Sequence, residues 1–374
     1  MHAIVTDAHL RNAVAGIRGL GRAGVEVTAL GPGRAAAGLW SRYAAERETG
    51  PDPASDPQGF ADALARVAAR HSAVAVYPGQ ETTIEAIVLV RPELPGGAQP
   101  DPGALEQLRE KRGLPRLAAE HGIRTPTTLF EGSLAELLEA DVPLPWVVKP
   151  AGPVGGLPTA RVVESRADLE ELTSELPSTE RVLVQERLSG QLVSLALVVD
   201  RDGRVVARFQ EEALRTWPPE AGSFALTISV APDDELLERS RSLLAATGYW
   251  GLAQLDYVAT AGSPILLDVN PRYYACMPLA LACGVNLPAA WHAAAEGRPA
   301  DAPTEYPLGR AYRWLEGDLY AARHGDLRAL LRRGPRASAG AMWASDDPLP
   351  SAALAVGFAT LPIRNRLRRR GRVG

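Results

Sequence analysis

The chain is poor in lysine, cysteine and long apolar runs, and each shortage narrows what it can be. Of 40 basic residues only Lys111 and Lys149 are lysine, and the rest are arginine. Its two cysteines, Cys276 and Cys283, stand seven positions apart in an expected helix, about two turns and too distant to bond each other. They are expected to be reduced core thiols, which suits the cytoplasm. No stretch approaches the ~18 apolar residues of a spanning helix. The opening MHAIVTDAHLRNAVAGIRGLGRAGVEVTAL has no basic start ahead of an unbroken apolar core, so no secretory signal is expected. Glycines at 16, 19, 21 and 24 do not form GxGxxG directly after the first strand, which disfavours a nicotinamide site.

What is present is ordinary for a globular protein: 46% apolar, 22% charged, net charge −4. At 374 residues, two or three domains around a shared cleft are expected. The charge is uneven, because the last eleven residues, RNRLRRRGRVG, carry six arginines and no acid. With the apolar LPSAALAVGFATLPI before it, that tail reads either as a weak membrane-surface contact or as a docked segment with a solvated basic end. Nucleic-acid binding is not expected, since no aromatic platform accompanies this lone basic cluster.

Residues 1–100 alternate strand and helix: MHAIVTDA, a helix from Asn12 to Gly24, VEVTALG, a helix from Gln58 to Arg70, SAVAVYPG, and a helix from near Glu81. That order predicts an open parallel α/β sheet. The Pro-rich PELPGGAQPDPGA (92–104) marks a linker. Residues 101–190 predict a helix holding EKRGLPRLAAEHGI, then an α+β unit of PWVVKP, the loop AGPVGGLP, TARVVE, DLEELTSEL and RVLVQERL. Residues 191–300 predict strands LVSLALVVD and RVVARFQEEA, a helix from Asp233 to Thr247 and a hairpin from Gly251 to Asn270. Residues 301–374 read as an extension, irregular and Trp-containing over 305–345, with the basic tail at its end.

The clearest chemical signal is GLAQLDYVATAGSPILLDVNPR. A hairpin centred on Gly262 sets Asp256 opposite Asp268, with Asn270 one step along on the same face. Two opposed carboxylates repel unless a cation lies against them. Oxygen donors without histidine or thiolate select Mg²⁺, or Mn²⁺, over zinc. Lys149 ends an apolar strand just before AGPVGGLP, where Gly152, Gly155 and Gly156 let backbone N–H groups approach an anion. That loop lacks the GK[ST] of a Walker A motif. The apolar strand of VLVQERLSG runs into a short hinge whose backbone can bond an adenine edge.

Together these segments resemble the ATP-grasp superfamily. The resemblance covers roughly residues 1–300, with DVNPR its most specific part. It implies a Rossmann-like N-terminal (pre-ATP-grasp) sheet followed by two α+β lobes clamping Mg-ATP. It also implies that Lys111, Lys149, Gly155, Gly156 and the hinge Gln185, Glu186, Arg187 and Leu188 hold the nucleotide, while Asp256, Asp268 and Asn270 hold the metal. Arg272 would neutralise an acyl-phosphate, and Arg215 would meet the γ-phosphate or a substrate carboxylate. Within the superfamily, GLGRAGVEVTALGP, WSRYAAE, VYPGQETTIEA and the late DDPLP look like predicted carboligases related to D-aspartate ligase. Three departures stand out: Asp268 where glutamate is commoner, Pro158 where glycine is usual, and no acidic ribose ligand soon after Gly190. The implied activity is a cytoplasmic carboxylate–amine ligase using small-molecule substrates, with a homodimer conceivable. Alternatives are an ATP-binding regulator without ligation, or a carboxylase-type enzyme activating bicarbonate.

Overall fold

The computed structural model describes residues 1–96, 99–151, 160–219, 222–260, 262–323, 335 and 337–355. The glycine-rich loop residues Gly155 and Gly156, and the Arg-rich tail, lie outside the described residues. The chain divides into two compact units, Met1–Gln99 with the described part of Ala341–Gly374, and Pro100–Gly340. No described helix is long and apolar enough to cross a membrane.

The first unit alternates β1 (His2–Val5), α1 (Arg11–Arg22), β2 (Val27–Gly31), β3 (Glu46–Thr49), α2 (Pro57–Ala68), β4 (Val74–Tyr77) and α3 (Glu81–Val90). All pairings are parallel in the order β3-β2-β1-β4, the expected Rossmann-like sheet. Strands this apolar need cover on both faces. Phe60, Leu64 and Val67 of α2 and Ile87 and Val90 of α3 supply it on one side, against Ile4, Leu30 and Val76. Helix α2 starts on Asp56, whose carboxylate accepts from the Gly59 amide, with Pro57 in its first turn. The DDPLP segment packs into this same unit. The carboxylate of Asp347, 1% exposed, accepts from Arg18 Nε (2.9 Å), Ser41 Oγ (2.7 Å) and Arg42 N (2.9 Å). A buried anion so surrounded has the partners that burial requires.

The second unit opens with α4 (Pro102–Arg109) and α5 (Gly113–Glu120). Here the expected single helix holding EKRGLPRLAAEHGI is corrected to two helices separated by a turn at Lys111–Arg112. Proline is accommodated in the first turn of a helix, so Pro115 requires the chain to begin a new one at Gly113. Next come β5 (Thr128–Ser133), α6 (Leu134–Glu139), β6 (Trp146–Pro150), β7 (Arg161–Val163), α7 (Arg166–Glu175) and β8 (Arg181–Glu186), forming an antiparallel sheet in the order β5-β8-β6-β7. Ser133 and Ser165 each close a capping box at the start of α6 and α7.

A seven-stranded sheet completes this unit. It is built from β9 (Gln191–Val199), β10 (Val205–Trp217), β11 (Ser223–Ser229), then β12 (Gly251–Ala259) and β13 (Ile265–Asn270) after helix α8 (Asp234–Ala246). Helices α9 (Met277–Ala282) and α10 (Leu287–Ala295) lead to β14 (Ala311–Arg313), α11 (Leu315–Arg323) and β15 (Ala337–Gly340). The order is β13-β12-β9-β10-β11-β14-β15. The region read as irregular over 305–345 therefore supplies two short strands and a helix; its strands of three and four residues are too brief for alternation to declare them. Helix α9 is shorter than expected, leaving Cys276 and Cys283 as its two flanking caps, both buried and neither in a disulfide. Pro278 fixes its first turn, and Gly284, at φ +87°, ends it in a conformation other residues avoid.

Candidate functional site

From Gln254 to Asp256 the β12–β13 ladder has the register read from the sequence, whereas a bulge after Asp256 shifts Tyr257 and Val258 by one residue, onto Leu266 and Ile265. Asp256 stands opposite Asp268 and Gln254 opposite Asn270. Because opposed residues share a face, one continuous polar row crosses the seven-stranded sheet: Asp268, Asp256, Ser194 of β9, Glu211 of β10 and Ser229 of β11. A second row, Asn270 and Gln254, lies beside it. Side chains tie the two rows together. Gln254 Nε2 donates to Ser194 Oγ (2.6 Å) and Asp256 Oδ1 (2.8 Å), while Asn270 Nδ2 donates to Gln254 Oε1 (3.1 Å) and Asp256 Oδ2 (3.3 Å). Arg272 in turn donates to Asn270 Oδ1 (2.6 Å).

The electrostatics of this row are those of anions gathered without enough positive charge. Burial, then the facing Asp268, pushes Asp256 up to about 7, against the pull of Arg272 and Lys149. Burial lifts Glu211 to about 8, with Asp256 adding to the effect and a Thr227 hydroxyl bond (3.2 Å) opposing it. Glu211 is 1% exposed, and its Oε1 has no hydrogen-bond partner among the described residues. Asp256, Asp268, Gln254 and Asn270 offer carboxylate and amide oxygens. This set fits a hard divalent cation, whose charge would relieve the Asp268 repulsion that helps to raise the Asp256 pKa.

Lys149 approaches the same place from the other sheet. On β6 and β8, Trp146, Val148, Val182 and Val184 point into the core formed with Leu134, Leu137, Leu169 and Leu172 of the covering helices. Alternation therefore turns Val147, Lys149, Leu183 and Gln185 to the opposite face. From there Lys149 Nζ donates to the carbonyl of Leu267 on β13 (3.2 Å). Burial lowers the Lys149 pKa, Asp268 and Asp256 oppose this, and the nearby Lys111 reinforces it. Lys111, Lys149, Asp256, Asp268, Asn270 and Arg272 are thus brought within electrostatic reach of one another or joined by hydrogen bonds.

The hinge residues divide by face. Gln185 is 6% exposed, shares the face of Lys149, and carries an Oε1 with no hydrogen-bond partner among the described residues. Glu186 turns the other way: its carboxylate accepts from the Thr127 amide (2.7 Å). Arg187 pairs with Glu164, and Leu188 follows the end of the strand, half-buried. Arg215, placed beside a register shift in β10, forms an ion pair with the fully buried Asp318.

Gln254, Ser194 and Glu211 were not singled out from the sequence. For Gln254 the signal was present, since the register that opposes Asp256 and Asp268 also opposes Gln254 and Asn270. Ser194 and Glu211 join the row only through the strand order β12-β9-β10, which no local pattern encodes.

Comparison with known proteins bears on the fold. A family model described as ATP-grasp in the biosynthetic pathway with Ter operon matches residues 178–317. The arginine-specific large chain of carbamoyl phosphate synthase from Bacillus subtilis (strain 168) is 21% identical over 145 residues, 37% of this chain and 14% of that protein. The chain thus aligns with about one seventh of that relative's length. Among solved structures, a biotin carboxylase–β,γ-ATP complex from Campylobacter jejuni superposes with a TM-score of 0.61 at 16% identity, covering 83% of this chain and 74% of that one. An L-amino acid ligase from Bacillus licheniformis gives 0.56 at 18% identity, covering 79% and 73%. These structures share the fold of this chain, the ATP-grasp fold, and residues 178–317 are the part that matches an ATP-grasp family model.

Proposed function

We propose that the chain is an ATP-dependent carboxylate–amine ligase acting through an acyl-phosphate. The observation that carries this reading is the convergence of Lys149, from one sheet, on the Asp256–Asp268 pair and Asn270 of the other. Lys149 and Lys111 would hold phosphate oxygens as compact point charges, and Gln185 would offer its buried carbonyl oxygen to the adenine amino group. Asp256, Asp268 and Asn270 would hold Mg²⁺ or Mn²⁺, which supplies charge neutralisation at the β- and γ-phosphates. The carboxylate substrate attacks the γ-phosphorus and ADP leaves. An amine then attacks the acyl carbon, inorganic phosphate departs, and the nitrogen gives up its proton to yield the amide. Arg272, fixed by its bond to Asn270, would stabilise the oxyanion of that second step. Arg215, anchored by Asp318, would turn its remaining N–H groups to the substrate carboxylate.

The similarity to a biotin carboxylase and a carbamoyl phosphate synthase favours a second reading, activation of bicarbonate. A screen for ADP release decides between them. Amino acids and other carboxylates are paired with amines, bicarbonate is tested alone, and products are read by mass spectrometry. Amide formation with one ADP per bond is expected. ADP release that needs bicarbonate and no other acid supports the second reading, and nucleotide binding without ADP from any pair overturns both.

A further inference from the structure

At the amino edge of the parallel sheet in the first unit, three side chains from three separate segments meet: His2 at the start of β1, Glu46 at the start of β3, and His71 just after α2. Their ligand atoms all lie within 4.8 Å of one another. The two imidazoles stack with centroids 3.7 Å apart and planes 6° from parallel. Thr28, on the strand between β1 and β3, links the other pair: its hydroxyl lies 2.8 Å from His2 Nε2 and donates to Glu46 (3.0 Å). His71 Nε2 is buried and makes no hydrogen bond among the described residues, lying 3.5 Å from the Glu46 carboxylate. A buried ring nitrogen aimed at a carboxylate without bonding it, beside a second imidazole, is an arrangement that asks for a further ligand.

We propose that His2, Glu46 and His71 form a binding site for a divalent transition-metal ion of the zinc type, in a unit separate from the proposed nucleotide and magnesium residues. The chemistry differs from that of the Asp256 site. Two imidazole nitrogens and one carboxylate oxygen suit zinc and its neighbours, whereas magnesium takes oxygen ligands. Water would complete four-coordination. The stacked rings must turn to converge on the ion, and the Cβ–Cγ torsion is the soft one about which they would do so. Arg70 bonds Glu46 (2.9 Å), but it also bonds Glu48 (2.7 Å) and keeps that partner when Glu46 turns to the metal. Burial and the adjoining His71 lower the pKa of His2, which favours the neutral imidazole that a metal requires.

The test uses the full chain without an affinity tag, dialysed against chelator and then titrated calorimetrically with zinc chloride. With excess magnesium present to occupy the residues around Asp256, one zinc ion per chain is expected. His71→Ala and His2→Ala should each weaken binding at least about 100-fold, and His121→Ala should leave it unchanged. No uptake by the unmodified chain, or equal uptake by both site variants, overturns the proposal. Should the alanine variants fail to fold, cobalt(II) in the unmodified chain still decides. The intense visible bands of a four-coordinate ion support the site, and the weak spectrum of a six-coordinate one overturns it.

Discussion

Asp256 faces Asp268 across the β12–β13 ladder, and Asp268 is, after burial, the largest cause of the proton that Asp256 retains up to about pH 7. Asp268→Asn removes that like charge, so Asp256 should ionise more readily while one anionic metal ligand is lost. In the ligase assay, ADP release should fall by about 100-fold or more, and more magnesium should be needed to restore part of it. Unchanged turnover across a magnesium titration would remove Asp268 from the site.

Glu211 extends this logic along the row. Its folded pKa, about 8, is raised above that of the unfolded chain. The folded state therefore binds the proton more tightly, and the stability it contributes is fully present below the ordinary carboxylate range. It declines as pH rises toward about 8 and is gone above that. Asp256 acts in the same direction up to about 7. Melting temperature without metal should thus fall between about pH 5 and 8, and Glu211→Gln should flatten the upper part of that decline. A slope identical to that of the unmodified chain would show that Glu211 does not titrate there.

The legible and the hidden parts of this site differ in range along the chain. The Asp256–Asp268 opposition could be read because both lie on one short hairpin with a recognisable turn, although the bulge after Asp256 was not foreseen, and Lys149 because an apolar strand ends beside a glycine-rich loop. Three of the four parallel strands of residues 1–100 were legible for the same local reason, alternating apolar strands and amphipathic helices, whereas the charged edge strand β3 has no apolar pattern to declare it. Glu211 and Ser194 were not, because their place depends on β9 inserting between β10 and β12, a pairing across more than fifty residues. Lys111 was expected within a helix and lies in a turn, since the decisive cue was a single proline four positions later. The structure gives Arg215 a partner, Asp318, from a segment that the sequence presented as irregular.

Lys149 offers a test of why lysine persists in a chain that otherwise uses arginine. Its ammonium reaches a Leu267 carbonyl and sits among Asp256, Asp268 and Lys111, a space suited to a point charge and poorly suited to a planar guanidinium. Lys149→Arg should keep the fold and the net charge yet lower ATP turnover by about 100-fold, with Lys149→Ala no worse than a further tenfold. Turnover within twofold of the unmodified chain in Lys149→Arg would mean that charge alone matters there.

Arg215 and Asp318 separate anchoring from catalysis. Asp318 is fully buried and is also paired with Arg313, so removing Arg215 strips one of two cations from a buried anion. Arg215→Ala should destabilise the fold by about 2–4 kcal/mol, and adding Asp318→Asn should recover part of the loss, because the charge left uncompensated is then gone. Ligation should not recover with stability if Arg215 also contacts the substrate carboxylate: the double variant should melt nearer the unmodified chain but keep a raised KM for the acid. Recovery of both quantities together would assign Arg215 to the fold alone.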